Sequence, residues 1–260
     1  MNRLGIVIPY RDRQQHLMHI IPYLAMYFTR DKIDSALSVR IVVVEQSAGA
    51  PFNRGLLCNI GFKLLRDTID YVCFHDVDYL PIWADYRCPE QPTMIVWDGF
   101  HTRLIDPANP ALGQIVENPA VCFSAVVLMR AEQFEQANGF ATGYWGWGFE
   151  DADLKDRLQT IGCRIERRRG TFQALNHRNA GYLSHVVLSP AHLRNRAVYQ
   201  ERWRSSQSWQ SEGLNSTAVA IINSTSLTLP PHARDDIRAE QVLVDIQMSA
   251  PAERDALQPA

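Results

Sequence analysis

"YVCFHDVD", residues 71–78, runs from a stretch of β-branched and aromatic residues straight into two carboxylates two positions apart. Its length and composition fit a buried strand, and its acidic end has no place in an apolar core. Two earlier segments share the apolar character: "LGIVIP" (4–9), ended by proline, and "VRIVVVEQ" (39–46). Helical patterns lie between them. Leu17, Ile20, Ile21, Leu24 and Phe28 form an amphipathic stripe, in which Pro22 predicts a kink or a break. Asn53 predicts the cap of a second helix ending near residue 66, with Leu57, Ile60, Gly61 and Leu64 on its inner face. Strand, helix, strand, helix, strand over the first 80 residues predicts an α/β chain, with a mostly parallel twisted sheet and helices on both faces.

In such sheets ligands collect at the carboxyl ends of the strands. Three polar clusters fall there: "PYRDR" (9–13), "EQSAGAPFNRG" (45–55) and "HDVDYLP" (75–81). Further on, residues 80–120 read as irregular connections around a short strand "TMIVW". "VCFSAVVLM" (121–129) reads as another buried strand and "RAEQFEQANGF" (130–140) as a short helix stopped by Gly139. Leu154, Leu158 and Ile161 mark a helix with acidic residues at its start, a polar helix follows near 190–212, and "TAVAII" and "EQVLVDI" read as strands. A single domain over 1–248 is expected, with a disordered tail over 249–260.

Composition removes several classes of function. The net charge of −2 gives no general attraction for nucleic acid or anionic lipid. Five cysteines without CxxC spacing form no disulfide framework. No P-loop or similar phosphate-cradling glycine motif occurs, which argues against a nucleotide hydrolase. The opening "RLGIVIPY" resembles a strand rather than a leader, and a reducing, cytoplasmic setting is expected, with peripheral attachment at the inner face of a membrane as a variant.

The clusters define the chemistry. Asp76 and Asp78, two apart on a strand, would face the same side, and their hard oxygens suit Mn²⁺ or Mg²⁺ beside a diphosphate. A turn with a capping Asp is the bland alternative. Arg11, Arg13 and Arg54 can grip an anion with paired N–H donors, or they can be ordinary surface arginines paired with neighbours such as Asp12. "YWGWGFEDAD" (144–153) combines two tryptophan faces with Glu150, Asp151 and Asp153 on a glycine-rich backbone. Trp145 reads as the more buried of the two. A carboxylate beside a sugar-stacking ring can act as a general base on a hydroxyl.

Taken together these segments resemble the β-1,4-galactosyltransferase family, glycosyltransferase family 7, over roughly residues 4–247. The resemblance rests on "IPYRDRQQHL" (8–17), "FNRGLLCNIGF" (52–62), "HDVDYLP", "FSAVVLMRAEQFEQANGF" (123–140), "GYWGWGFEDADLKDRL" (143–158), "EGLNS" (212–216) and "VLVDI" (242–246), in family order. It implies a GT-A fold and metal-dependent inverting transfer from a UDP-sugar to a saccharide acceptor, galactose being the expected sugar. It implies donor-binding roles for Pro9, Tyr10, Arg11, Arg13, Phe52, Arg54 and Asp76. Asp78 and His177 fall at metal ligands, Trp147 between donor and acceptor sugars, and Glu150 and Asp151 at the acceptor pair, with Asp151 as the catalytic base.

Three departures stand out. Ala152 occupies a place where animal members commonly carry another Asp, and the residues around His177 offer no obvious third metal ligand. Cys122 replaces a bulky tyrosine of galactose-specific members, on the C2 side of the donor, which leaves room for an N-acetyl group. N-acetylgalactosamine transfer is therefore an alternative, and a catalytically inactive carbohydrate-binding protein is a second. A lipid-linked saccharide at a membrane is an expected acceptor class.

Overall fold

The structure is a computed structural model that describes residues 2–30, 37–96, 101–103, 115–116, 123–175, 189–204, 209–218 and 220–246. Cys122, His177 and the tail from residue 249 lie outside the described residues.

Three parallel strands form the centre: β1 (Arg3–Tyr10), β2 (Ser38–Gln46) and β3 (Tyr71–His75). They are joined by α1 (Gln14–Arg30) and α2 (Arg54–Leu65). The chain continues with β4 (Tyr79–Ala84), β5 (Thr93–Met94), β6 (His101–Arg103), β7 (Ile115–Val116), β8 (Val126–Arg130), α3 (Ala131–Gln136), α4 (Glu150–Thr160), β9 (Glu166–Arg167), β10 (Gly170–Ala174), α5 (Pro190–Arg204), β11 (Ile221–Ser226) and β12 (Ile237–Val244). The main sheet has the order β11-β12-β2-β1-β3-β8-β5-β9, and a smaller one the order β4-β10-β6-β7. Pairings β12–β2, β2–β1, β1–β3 and β5–β9 are parallel, while β11–β12, β3–β8 and β8–β5 are antiparallel.

Alternate side chains of each central strand enter different cores, as the two-residue repeat of a strand requires. Leu4, Ile6 and Ile8 of β1 pack with Leu17, Ile20, Leu24 and Phe28 of α1 on one face. Val7, with Val42 and Val44 of β2, packs with Leu57 and Ile60 of α2, Phe134 of α3 and Leu154 and Leu158 of α4 on the other. Helices on both faces are thus found as expected. Gly61 permits the close approach of α2: a Cβ there would sit 2.4 Å from Val7 Cγ1. None of the helices among the described residues is long and apolar enough to cross a membrane.

Several expectations need correction. α1 runs unbroken through Pro22. The buried stripe of Leu17, Ile20, Ile21, Leu24 and Phe28 continues on both sides of the proline, so packing holds the helix together across the bond it cannot make. The strand read from residue 121 begins only at Val126, because Ala125 adopts left-handed backbone (φ 66°) and cannot continue a ladder. β4 falls inside the stretch read as irregular. Pro81 demotes that run as a strand, yet β4 lies at the edge of the small sheet, where a missing N–H is tolerated. α3 ends at Gln136, three residues before the predicted stop at Gly139, and Asn138 (φ 56°) and Gly139 (φ 61°) are both left-handed beyond its cap.

Candidate active site

The three polar clusters do share one rim. Tyr10 pairs with Glu45 at the ends of β1 and β2, and Phe74 of β3 pairs with Val7 a few residues below. α2 starts from the same rim: Asn53 caps it by accepting from Leu56 N–H at 2.9 Å, while its own N–H donates to Gln46 Oε1 at 2.8 Å. Asn53 also donates to the Thr142 carbonyl (2.8 Å), and the Gly146 N–H donates to the Phe52 carbonyl (2.8 Å). The segment of Phe52 and Arg54 is therefore fastened to the tryptophan-rich loop almost a hundred residues later.

β3 ends at His75, and Asp76–Val77–Asp78 form a turn into β4 rather than the end of the strand. This is the turn that stood as the alternative to a strand end; Val77 is buried in it while Asp76 and Asp78 are each partly exposed. The turn rests on His75, which is fully buried. Its Nδ1 lies 2.9 Å from the Asp76 carbonyl and its Nε2 3.1 Å from the Tyr86 hydroxyl. Since a carbonyl only accepts, Nδ1 carries the proton and Tyr86 donates to Nε2. Burial pulls the His75 pKa down to about 4, so the ring is neutral.

Arg54 organises the acids. Its Nε and Nη2 donate to one Asp76 oxygen at 2.9 and 2.8 Å, and its Nη1 lies 3.9 Å from Glu150 Oε1. The guanidinium expected on phosphate is engaged with carboxylates in this structure. Burial raises the Asp76 pKa, with Asp78 and Asp151 adding to the rise and Arg54 opposing it. Burial, with Asp151 next, pushes Glu150 up to about 7 against the pull of Arg54. Asp76 thus feels Asp78 and Asp151, and Glu150 feels Asp151 and Asp76.

Glu150 and Asp151 open α4, where the helix dipole favours negative charge. Phe149, just before, takes left-handed backbone (φ 75°) and offers no side-chain cap. The tryptophans divide as the sequence suggests. Trp145 is 7% exposed and packs in the core, whereas Trp147 is 48% exposed, with its ring stacked on His192 of α5 at 5.0 Å and 28°. At the end of β1, Arg11 donates to the Ala50 carbonyl (2.6 Å) and lies over the Phe52 ring (5.5 Å). Tyr10, next to Pro9 at the end of β1, donates to Gln14 at 3.2 Å.

The site suits a metal–diphosphate group in part. Arg13 Nη1 is buried with no hydrogen-bond partner among the described residues, as a waiting anion donor would be. Asp78 brings a hard oxygen donor, but among the described residues no three His, Cys, Asp or Glu side chains form a complete cation shell. The Leu175 N–H donates to the Asp78 carbonyl at 2.6 Å, which ties the end of β10 to the acidic turn two residues before His177.

Behind the loop lies a group of charges that sequence reading missed. Fully buried Asp153 accepts from Arg157 Nε (2.5 Å) and the Tyr144 hydroxyl (2.8 Å), and Arg202 Nε is 3.1 Å away. Arg202 also meets Glu212 at 2.5 Å, and Glu212 accepts from the Gly143 N–H at 2.6 Å. Burial raises Glu212, but Arg202 and those hydrogen bonds outweigh it and hold its pKa below the usual range. Asp153 stood in the sequence among the carboxylates beside the tryptophan faces, and the structure instead buries it in this network; "EGLNS" marked Glu212 only as a resemblance.

A family model described as the N-terminal region of glycosyl transferase group 7 matches residues 1–89, and one described as the N-terminal domain of galactosyltransferase matches residues 117–180. The chain belongs to the β-1,4-galactosyltransferase family. Like other members, it matches human β-1,4-galactosyltransferase 4, at 32% identity over 64% of this chain and 45% of that one. Bovine β-1,4-galactosyltransferase 1 is 36% identical over 64% of this chain and 39% of its own length. The Drosophila melanogaster β-1,4-galactosyltransferase 7 is 29% identical over 68% and 52%. This family member spans about half the length of the curated relatives it matches. Its fold matches the crystal structure of the catalytic domain of the Drosophila enzyme 7 in complex with xylobiose, with a TM-score of 0.74 at 21% identity over all of both chains. A mutant of that enzyme in complex with manganese, UDP-Gal and xylobiose gives a TM-score of 0.71 at 21% identity, over 98% of this chain and 99% of that one.

Proposed function

We propose that this chain is a metal-dependent, inverting galactosyltransferase that moves galactose from UDP-galactose to a sugar hydroxyl, forming a β-linkage. The observation that carries the reading is Arg54 holding Asp76 while reaching Glu150 beside Asp151, with Trp147 exposed in the loop that leads into those two acids. That arrangement sets an anion-binding rim against a pair of carboxylates at a sugar-stacking surface. The Drosophila relative crystallised with manganese, UDP-Gal and xylobiose supports the same donor, cation and acceptor class here.

Asp78 and His177 would hold the cation, Mn²⁺ or Mg²⁺, and Lewis-acid stabilisation of a departing diphosphate is the chemistry such a cation supplies. Arg11 and Arg13 take the phosphates, with Pro9, Tyr10 and Phe52 around the nucleotide. Arg54 keeps Asp76 facing the donor. Trp147 holds the acceptor ring in line, an orientation effect worth several kcal/mol. Glu150 accepts from the acceptor sugar. Asp151 takes the proton of its hydroxyl as that oxygen bonds to the anomeric carbon and the bond to UDP breaks on the opposite side. The α-linked donor thereby becomes a β-glycoside.

The smaller Cys122 favours a second donor, UDP-N-acetylgalactosamine. UDP release with Mn²⁺ over a panel of UDP-sugars and monosaccharide acceptors decides between them. Turnover with neither sugar, together with no metal-dependent UDP binding in calorimetry, would leave an inactive saccharide-binding protein. We further place the enzyme in polysaccharide or glycoconjugate synthesis at the cytoplasmic face of a membrane, on a lipid-linked acceptor. Transfer to membrane-extracted lipid-linked saccharides tests that setting.

A further inference from the structure

α5 is a polar helix, and the one residue it buries fully is Asn195. An amide removed from water must find partners for its N–H donors. Asn195 Nδ2 lies 3.2 Å from the Trp145 carbonyl, 3.3 Å from that of Trp147 and 3.1 Å from that of Gly148. Those carbonyls converge because Gly146 and Gly148 take positive φ, 80° and 104°, turning successive peptide planes toward one point. Left-handed Phe149 follows at once. A non-glycine residue in that region persists only where its surroundings over-determine it. Here the surroundings are α5. A Cβ on Gly146 would sit 2.9 Å from Ala191 Cβ, one on Gly148 would sit 2.8 Å from His192 Nδ1, and Arg194 donates to the Trp145 carbonyl at 2.7 Å.

The geometry points to Asn195 as a positioning residue that locks the 145–149 kink and so sets the angle of the Trp147 ring against Glu150 and Asp151. It acts through the loop backbone and touches no reacting atom. The inference rests on the transfer reading above only for its kinetic readout.

The test compares Asn195→Asp, which has the same shape but turns a carboxylate oxygen toward three carbonyls, with Asn195→Ser, which keeps one shorter donor. Trp147 emission is isolated by subtracting the spectrum of Trp147→Phe, and its acrylamide quenching is measured. We expect quenching in Asn195→Asp to rise at least twofold and the acceptor KM at least tenfold. UDP affinity with Mn²⁺ and acceptor-free hydrolysis of the UDP-sugar should stay within twofold, a split that general loosening of the fold would not give. Asn195→Ser should fall between, and it decides by the same readouts if Asn195→Asp does not fold. Unchanged quenching and acceptor KM in a folded variant overturn the assignment. If the parent moves no sugar at all, the transfer reading fails by itself, and the quenching measurement still decides the role of Asn195.

Discussion

Arg54 and Asp76, 22 residues apart in sequence, meet through two hydrogen bonds of 2.9 and 2.8 Å to a single carboxylate oxygen. That pair joins the start of α2 to the end of β3, and the remaining guanidinium nitrogen points toward Glu150. One cation thereby keeps several carboxylates together.

Replacing Arg54 should expose their mutual repulsion. Arg54→Met should lower stability by about 2 kcal/mol, less than the roughly 3–5 of a fully buried pair, because Asp76 keeps 30% of its side chain in solvent. Urea unfolding reads this loss. Sugar transfer should fall at least about a hundredfold, since Asp76 and Glu150 would both lose their orientation. A variant as stable and active as the parent would show that the pair is incidental.

Glu150 gives a pH signature. Its folded pKa of about 7 lies above the ordinary value of 4.5, so the folded protein holds this proton more tightly than the unfolded chain. The stabilisation is full below about pH 4.5 and is lost as pH rises through 7. Glu150→Gln should therefore be more stable than the metal-free parent at pH 8, by on the order of 1–3 kcal/mol, and the difference should shrink toward pH 5. Thermal unfolding at the two pH values checks the sign.

Asp151 should behave as a base. Asp151→Asn keeps the shape of the side chain and removes its proton affinity, so kcat should drop by about 10²–10⁴ while UDP affinity with Mn²⁺ holds. An unchanged kcat in a UDP-release assay would remove Asp151 from the proton transfer.

Asp153 carries structure rather than chemistry. With Asp153→Asn, fully buried Arg157 loses its charged partner and Arg202 keeps only Glu212. Breaking such a buried pair costs about 3–5 kcal/mol. A melting temperature within a degree or two of the parent would contradict the network described here.

Much of the framework is legible in the residues themselves. β1, β2 and β3 are short continuous apolar runs, and Asn53 announces α2, because both signals are local. The spacing in "YWGWG" does not separate Trp145 from Trp147, since residues two apart carry the same local signal. Contacts set by the order of strands are another matter. Nothing near Arg54 indicates that its partner is Asp76, since that pairing exists only once β1 lies between β2 and β3. Asn195 sits in a polar helix whose pattern marks no inner face, so its burial against Trp145 and Gly148 leaves no trace in the periodicity. Pro22 misleads as a sign of a break because a proline rule describes an isolated segment, and here the packed stripe of α1 carries the helix across it.

The division of side chains between two cores has a practical meaning. Arg54, Glu150 and Asp151 all issue from the opening turns of α2 and α4, which rest on one face of the sheet, while α1 covers the other. The acidic turn is carried from the other side: Val77, between Asp76 and Asp78, packs in the core that α1 covers. A protein engineer altering α1 should therefore spare Tyr23, whose hydroxyl donates to the Pro81 carbonyl just past that turn at 2.9 Å, and confine changes to exposed positions such as Met18.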